Sequence, residues 1–127
     1  MPEILVVEDD PYQAEALTIF LRKSGYDVVA ASDGRAALNR VIERRPDLVM
    51  LDLFLPEMNG IELLEVLSSY MRLKTLPVIV WTGAMDLPLL DRARNLNANA
   101  VLVKSRSTYN HLLVAIQKAL PKQADKG

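Results

Sequence analysis

The residue types most able to do chemistry in this chain stand directly after short apolar runs. Asp52 follows one such run and precedes a loop that contains proline and glycine. Glu8 and Asp9 follow the first run, and Lys104 follows the last. An aspartate that closes a strand is most often a turn former or a helix cap, so Asp52 alone would need no further explanation. Acids after two runs and a lysine after a third form a combination that the packing of a sheet does not require.

If the three carboxylates meet at one edge of a sheet, they favour a metal-assisted reaction. They would repel one another, and some would stay protonated unless a cation neutralised them. A hard divalent ion such as Mg²⁺ prefers oxygen ligands and needs only one or two carboxylates besides water and a carbonyl. A carboxylate beside that ion can attack a phosphoryl group and form an acyl phosphate. Lys104 would then supply a positive charge to the phosphoryl oxygens, and Thr82 a hydroxyl.

Each of these residues also has an ordinary structural explanation. Lys104 alone would be a solvated lysine at a strand end, and Thr82 a strand former that precedes a turn. Their combination with the acids after the first and third runs favours a functional site. No histidine or cysteine lies near the predicted strand ends, so zinc is not expected. His111 falls on the last predicted helix, where a surface or interface position is expected rather than a role as phosphodonor.

Five apolar runs alternate with five stretches of helical periodicity. The runs are continuous and rich in β-branched residues, which is typical of strands buried on both faces. We therefore expect an α/β fold with a doubly wound, five-stranded parallel sheet in the flavodoxin-like order 2-1-3-4-5 and five helices. In such sheets ligands bind beyond the carboxyl ends of the strands where the order reverses, here between strands one and three. The runs are residues 4–7, 27–31, 48–51, 78–81 and 100–103.

The helices are predicted from their start signals and their apolar stripes. Asp10, Asp33, Asn59 and Asp86 stand at the expected starts of the first four helices. We interpret the apolar stripes as core rather than as binding surfaces. The stripe residues are Ala14, Leu17, Leu21, Ala37, Leu38, Val41, Ile42, Leu63, Leu64, Leu67, Tyr70, Met71, Leu112, Leu113, Ile116, Ala119 and Leu120.

Length and composition predict one cytoplasmic domain. The chain has 127 residues, half of them apolar and 24% charged, which is enough for a single core. The net charge of −1 gives no reason to expect nucleic acid or an anionic membrane as a partner. The absence of cysteine excludes disulfides and thiolate sites, and neither a signal peptide nor a membrane span fits the amino terminus. We expect the domain over residues 1–120, with a polar tail or the start of a linker over residues 121–127.

Over residues 3–120 the chain resembles the receiver domain of the two-component response-regulator family. No single motif is specific, but together they are highly specific. They are residues 4–10, residues 47–53 with Pro56, Asn59 and Gly60, residues 76–83, and residues 103–104.

The resemblance implies a role for each residue of the candidate site. Asp52 would be the phosphoacceptor. Glu8 and Asp9 would be the acidic pair that holds Mg²⁺, with Asp52 and the backbone carbonyl of Phe54 as further ligands. The residues in contact with the phosphoryl group would be Thr82 and Lys104.

Two positions depart from the family pattern. The family usually has a proline with a cis peptide bond after the lysine, whereas this chain has Ser105. A cis bond before another residue costs about 3–4 kcal/mol, so we expect a trans bond. The family often has an aromatic residue three positions before the lysine, whereas this chain has Val101. We therefore expect the signal to be transmitted by backbone movement of the loops after strands four and five.

The resemblance implies a signalling protein rather than an enzyme. A histidine kinase or a histidine phosphotransfer protein would donate the phosphoryl group, and a population shift would carry the signal to a downstream partner protein. The face formed by strand five and its flanking helices would carry that signal, and it is also the expected interface of a homodimer. Direct binding to nucleic acid or membrane is not expected.

Two other functions stay open. A phosphatase with an aspartate nucleophile usually has a second aspartate two residues later, where this chain has Phe54, which argues against turnover of small phosphate esters. A degenerate receiver would be a protein-binding module that acts without phosphorylation. The complete set of site residues argues against it, but Val101 and Ser105 leave it open.

Overall fold

Five parallel strands form one sheet in the order 2-1-3-4-5, which confirms the predicted fold class. The computed structural model describes residues 1–121, so residues 122–127 of the predicted tail lie outside the described residues. The strands are β1 (Glu3–Val7), β2 (Asp27–Ala31), β3 (Leu48–Leu51), β4 (Val78–Thr82) and β5 (Ala100–Val103). The helices are α1 (Pro11–Lys23), α2 (Gly34–Glu43), α3 (Gly60–Ser69), α4 (Leu87–Asn95) and α5 (Tyr109–Ala119), and a single 3₁₀ turn covers Lys104–Arg106.

The continuous apolar strands divide their side chains between two cores, one on each face of the sheet. Leu5 and Val49 belong to the core beneath α2, α3 and α4, whereas their neighbours Ile4 and Leu48 belong to the core beneath α1 and α5. This alternation follows from the two-residue period of a strand. Since both faces are covered, the carboxyl ends of the strands are the place where polar side chains can collect.

The predicted helix starts are correct, with one difference in detail. Asp10 and Asp33 accept hydrogen bonds from the first-turn backbone of α1 and α2, and Asn59 forms a reciprocal capping pair with Glu62 at the start of α3. Asp86 stands at the start of α4, but within the described residues its side chain makes no capping hydrogen bond. The proline at the second position of α4 is compatible with the first turn, which lacks internal N–H partners.

Three residues assigned to the core are exposed, so that part of the prediction was wrong. Tyr70 and Met71 are 57% and 77% exposed because α3 ends at Ser69, after which helical periodicity no longer applies. Ile42 is 66% exposed on the last turn of α2. It follows Leu38 by one turn, and Leu38 is itself only half-buried, so this stripe runs along the edge of the buried face.

Two further expectations can be compared with the backbone. Within residues 1–121 no peptide bond is cis, so the bond between Lys104 and Ser105 is trans as predicted. In the same part of the chain no helix is long and apolar enough to cross a membrane.

Candidate functional site

The register of the sheet brings the predicted site residues to one edge. Val7 pairs with Leu51, so Glu8 and Asp52 leave their strands side by side. Their backbones continue the ladder, since the Asp52 amide donates to the carbonyl of Val7 at 3.1 Å. On the other side of β3, Thr82 pairs with Val103, which places Lys104 one residue beyond the end of β4.

Asp52 is a buried carboxylate with hydrogen-bond donors on both oxygens. Its side chain is only 8% exposed. Oδ1 accepts from the hydroxyl of Thr82 at 2.8 Å and from the backbone N–H of Phe54 at 3.1 Å. Oδ2 accepts from Lys104 Nζ at 3.1 Å. A buried charge is tolerated only when it is paired and hydrogen-bonded, and this carboxylate meets both conditions.

Thr82 is fully buried, and its hydroxyl has a fixed direction. Oγ1 donates to Asp52 Oδ1 and accepts from the backbone N–H of Ala84 at 3.1 Å. Because a hydroxyl has one hydrogen, the contact with the Ala84 N–H leaves that hydrogen for Asp52. The hydroxyl therefore points at the carboxylate, as a contact with a group bound there would require.

Lys104 joins the two buried acids. Its Nζ donates to Glu8 Oε1 at 2.7 Å and to Asp52 Oδ2 at 3.1 Å, and a third bond goes to Gln13 Oε1 at 2.6 Å. Both carboxylate contacts are ion pairs whose side chains are less than one fifth exposed. The lysine thus neutralises part of the charge that the two acids bring to the sheet edge.

Burial and close contact shift the pKa values of both Glu8 and Lys104. Burial raises the pKa of the Glu8 carboxyl, and the hydrogen bonds from Lys104 and from the Asp10 amide oppose that rise. The nearby charge of Asp52 pushes the pKa of Glu8 further upward. Burial by itself would lower the pKa of Lys104, but the hydrogen bonds and charges of Glu8 and Asp52 outweigh it, so that the pKa is raised. Lys104 therefore stays protonated at neutral pH.

The predicted metal ligands are only partly assembled. Asp9 is exposed and lines an open groove of about 720 Å³ together with Phe54. Within residues 1–121 no three His, Cys, Asp or Glu side chains form a group that could hold a metal ion. Lys104 lies against two of the predicted ligands, Glu8 and Asp52, and neutralises part of their negative charge. The donor set itself consists of oxygens and carries excess negative charge, so it suits a hard divalent cation once Lys104 releases Glu8.

Close backbone packing fixes the loop after Asp52. A Cβ atom at Gly60 would lie 2.5 Å from the carbonyl oxygen of Asp52, and one at Gly34 would overlap the carbonyl oxygen of Met58. Glycine is required at both positions because the loop between β3 and α3 lies directly against the starts of α2 and α3. The Phe54 carbonyl, a predicted metal ligand, belongs to this loop.

Of the two residues that depart from the family pattern, Val101 lies on β5 and Ser105 in the 3₁₀ turn. Val101 is half-buried on β5 and packs against the core beneath α2, α3 and α4. Among the aromatic residues near the site, the ring centroid of Trp81 lies 5.9 Å from that of Tyr109, the first residue of α5. His111 is exposed and caps α5, since its Nδ1 accepts from the Thr108 amide at 3.1 Å. A surface position was expected for it.

One residue that contacts the site escaped the sequence reasoning. Gln13 lies in the first turn of α1 and contacts Lys104, although ninety-one residues separate them. The available signal was its position three residues after the cap Asp10, on the same side of the helix. A polar residue there is so common on an exposed helix that the pattern alone did not single it out.

Comparisons with known proteins agree on one family. The family model described as the response regulator receiver domain matches residues 4–117. The DNA-binding response regulator MtrA of Mycolicibacterium smegmatis is 49% identical over 83 residues, which cover 65% of this chain and 35% of that protein. The chain thus spans about a third of the length of this curated relative.

Solved structures give the same fold. The signal receiver domain of a signal transduction histidine kinase from Syntrophus aciditrophicus superimposes with a TM-score of 0.87 at 33% identity, covering 94% of this chain and 90% of that one. The Mn(2+)-bound form of the response regulator Rcp1 superimposes with a TM-score of 0.81 at 27% identity, covering 91% and 89%.

Proposed function

Because the chain belongs to the response regulator receiver domain family, we propose that Asp52 accepts a phosphoryl group. The donor is a phosphohistidine of a histidine kinase or of a histidine phosphotransfer protein, and the reaction takes place in the cytoplasm. One observation carries the proposal: a buried carboxylate at the edge of the sheet has a hydroxyl and an ammonium directed at it, from Thr82 and Lys104. These are the donors that a transferred phosphoryl group requires.

The transfer is a displacement at phosphorus. Asp52 Oδ2 forms the new P–O bond while the P–N bond to the donor imidazole breaks, and the imidazole leaves with the electron pair of that bond. We assign Oδ2 as the nucleophile because it accepts one hydrogen bond, whereas Oδ1 accepts two. The Lys104 ammonium then donates to the phosphoryl oxygens, which carry the negative charge after the transfer, and the Thr82 hydroxyl donates to the same group.

The residues that would hold Mg²⁺ are Glu8, Asp9, Asp52 and the backbone carbonyl of Phe54. When bound, the ion neutralises the phosphoryl oxygens during transfer. A manganese-bound structure among the similar proteins supports a divalent cation in this type of site. In this chain Glu8 Oε1 already accepts from Lys104, so the ion would compete with the ammonium for that oxygen.

We propose a signalling phosphoacceptor and not a turnover enzyme. Phe54 stands two residues after the acceptor, is 59% exposed, and offers no acid or base for a second proton transfer. The output is a population shift that moves the loops after β4 and β5 toward the phosphoryl group, and the face of β5, α4 and α5 presents it to a protein partner or to a second copy of the chain. MtrA is named a DNA-binding response regulator, but the match covers only 35% of that protein, so we assign no nucleic-acid contact to residues 1–121.

The test is direct phosphorylation. The protein is mixed with acetyl phosphate and Mg²⁺, and intact-mass spectrometry measures the gain of a phosphoryl group that is stable in acid and labile in base. We expect one such group on the wild-type protein and none on Asp52→Asn, which keeps the shape of the side chain and loses the nucleophile. A phosphoryl group on Asp52→Asn would disprove the site. No gain on the wild type would favour the degenerate receiver, a binding module that works without phosphorylation.

A further inference from the structure

The hydrogen bonds around Lys104 single out Gln13, which has no part in the proposed function. A lysine ammonium has three N–H donors and no acceptor. Here all three donors are used, on Glu8 Oε1 at 2.7 Å, on Gln13 Oε1 at 2.6 Å and on Asp52 Oδ2 at 3.1 Å. Two of the acceptors are carboxylates of the site, and Gln13 is the neutral one.

The opposite end of the Gln13 amide fixes its direction. Nε2 donates to Asp10 Oδ2 at 3.1 Å, and Asp10 Oδ1 in turn accepts from the Tyr12 amide at 2.9 Å at the start of α1. A flipped amide would turn its NH₂ group toward an ammonium and its oxygen toward a carboxylate, so both contacts would become repulsive. The charges of Lys104 and Asp10 therefore hold the amide oxygen on Lys104.

We infer that Gln13 is a positioning residue, which keeps the Lys104 ammonium at the acceptor site without using a carboxylate oxygen. The inference rests on the proposed function, in which the oxygens of Glu8 and Asp52 are needed for a cation and for the phosphoryl group. The Gln13 oxygen is needed for neither, so it goes on accepting from Lys104 after Glu8 is released. Without that contact, the flexible stem of Lys104 would have no partner on α1 to keep the charge beside Asp52.

The first test removes the acceptor at nearly constant side-chain length. Gln13→Met keeps the stem and lacks the amide oxygen, whereas Gln117→Met makes the same change at an exposed position of α5. With acetyl phosphate and Mg²⁺ we expect the rate of phosphoryl gain to fall about fivefold in Gln13→Met, as for one hydrogen bond to a charged group that is partly open to water. The rate of Gln117→Met should equal that of the wild type.

A double-mutant cycle separates positioning from a general structural effect. In a Lys104→Met background, Gln13→Met should leave the residual rate unchanged, because the donor that Gln13 positions is gone. A fivefold fall with Lys104 present and none without it supports the inference. An equal fall in both backgrounds, or no fall in either, would overturn it.

The last measurement does not depend on phosphorylation. The ammonium protons of Lys104, followed by nitrogen NMR in the protein without Mg²⁺, should exchange with water about threefold faster in Gln13→Met and at the wild-type rate in Gln117→Met. If the wild-type protein gains no phosphoryl group, the proposed function fails, and this exchange rate alone decides whether Gln13 holds Lys104. Exchange at the wild-type rate in Gln13→Met would refute the inference.

Discussion

The hydroxyl of Thr82 should contribute more to stability than its methyl group, although the residue lies in a buried strand. Thr82→Val replaces the hydroxyl by a methyl group of similar size and removes two hydrogen bonds, one to Asp52 and one from the Ala84 amide. Thr82→Ser keeps both bonds and removes the methyl group. On strand propensity alone valine would be the better residue, so the two variants separate polar contacts from packing.

The magnitude follows from the burial of the partners. A hydrogen bond to a charged group contributes about 1.5–3 kcal/mol, and a buried N–H without a partner costs about 1–3 kcal/mol. Burying a methyl group in place of the hydroxyl stabilises the folded state by about 1 kcal/mol. Thr82→Val should therefore lower the free energy of unfolding by about 1.5–5 kcal/mol, and Thr82→Ser by about 1 kcal/mol for the lost methyl group.

Urea unfolding followed by far-ultraviolet circular dichroism measures both values, with the slope of the transition as a check on two-state behaviour. In thermal unfolding the valine variant should melt roughly 6–20 °C below the wild type, taking about 4 °C per kcal/mol for a chain of this size. The effect of valine should shrink in an Asp52→Asn background, where the acceptor is no longer charged. A valine variant as stable as the serine variant would refute the hydrogen-bond account.

Other predictions concern the acids after β1 and the glycines near the acceptor. Asp9→Asn should weaken Mg²⁺ binding more than Asp10→Asn does, since Asp10 caps α1; equal losses in metal titrations would contradict this assignment. The pKa of Asp10 is lowered, chiefly by the hydrogen bond from the Gln13 side chain, so its contribution to stability is present above the unfolded pKa and is lost as the pH falls through the folded pKa. In acid unfolding, the free energy of unfolding of Asp10→Asn should lack this part of the pH dependence. A profile identical to that of the wild type would contradict the role of the Asp10 charge. Gly60→Ala should destabilise the fold by about 3 kcal/mol through backbone overlap with Asp52, whereas Gly83→Ala should have little effect, because among the described residues no atom lies within 4 Å of the added methyl group. Chemical denaturation measures both, and equal stability of the two variants would contradict the packing account.

The cluster of side chains around Asp52 could be predicted because it depends on strand ends alone. In a parallel sheet the carboxyl ends of all strands lie at one edge, so the residues that follow the apolar runs must lie near one another. The positions of the apolar runs were enough to predict that four residues lie close together: Glu8, Asp52, Thr82 and Lys104. The observed register confirms that placement, with Glu8 and Asp52 directly adjacent.

Other contacts of the site, and the end of α3, depend on side-chain and helix geometry that the pattern of apolar residues does not specify. Gln13 reaches Lys104 through the phase of α1 against the sheet and through a side-chain rotamer, neither of which the sequence specifies. The contact between Lys104 and Glu8 depends on side-chain length in the same way. Tyr70 and Met71 were placed in the core because the apolar pattern continues past the end of α3, and the pattern alone did not mark that end.

The two close approaches of the loop between β3 and α3 have a consequence for how the chain can change in evolution. Gly60 excludes a side chain where the loop begins, at Asp52 and Leu53, and Gly34 excludes one near its end, at Met58, although the two glycines belong to different helices. The loop therefore lies in close contact with the starts of both helices, and a residue inserted into it would have to displace them. The turns over residues 71–75 are less confined, since Met71 at their start is exposed to solvent. Insertions and deletions should accumulate there, while the length of the acceptor loop stays constant among functional variants.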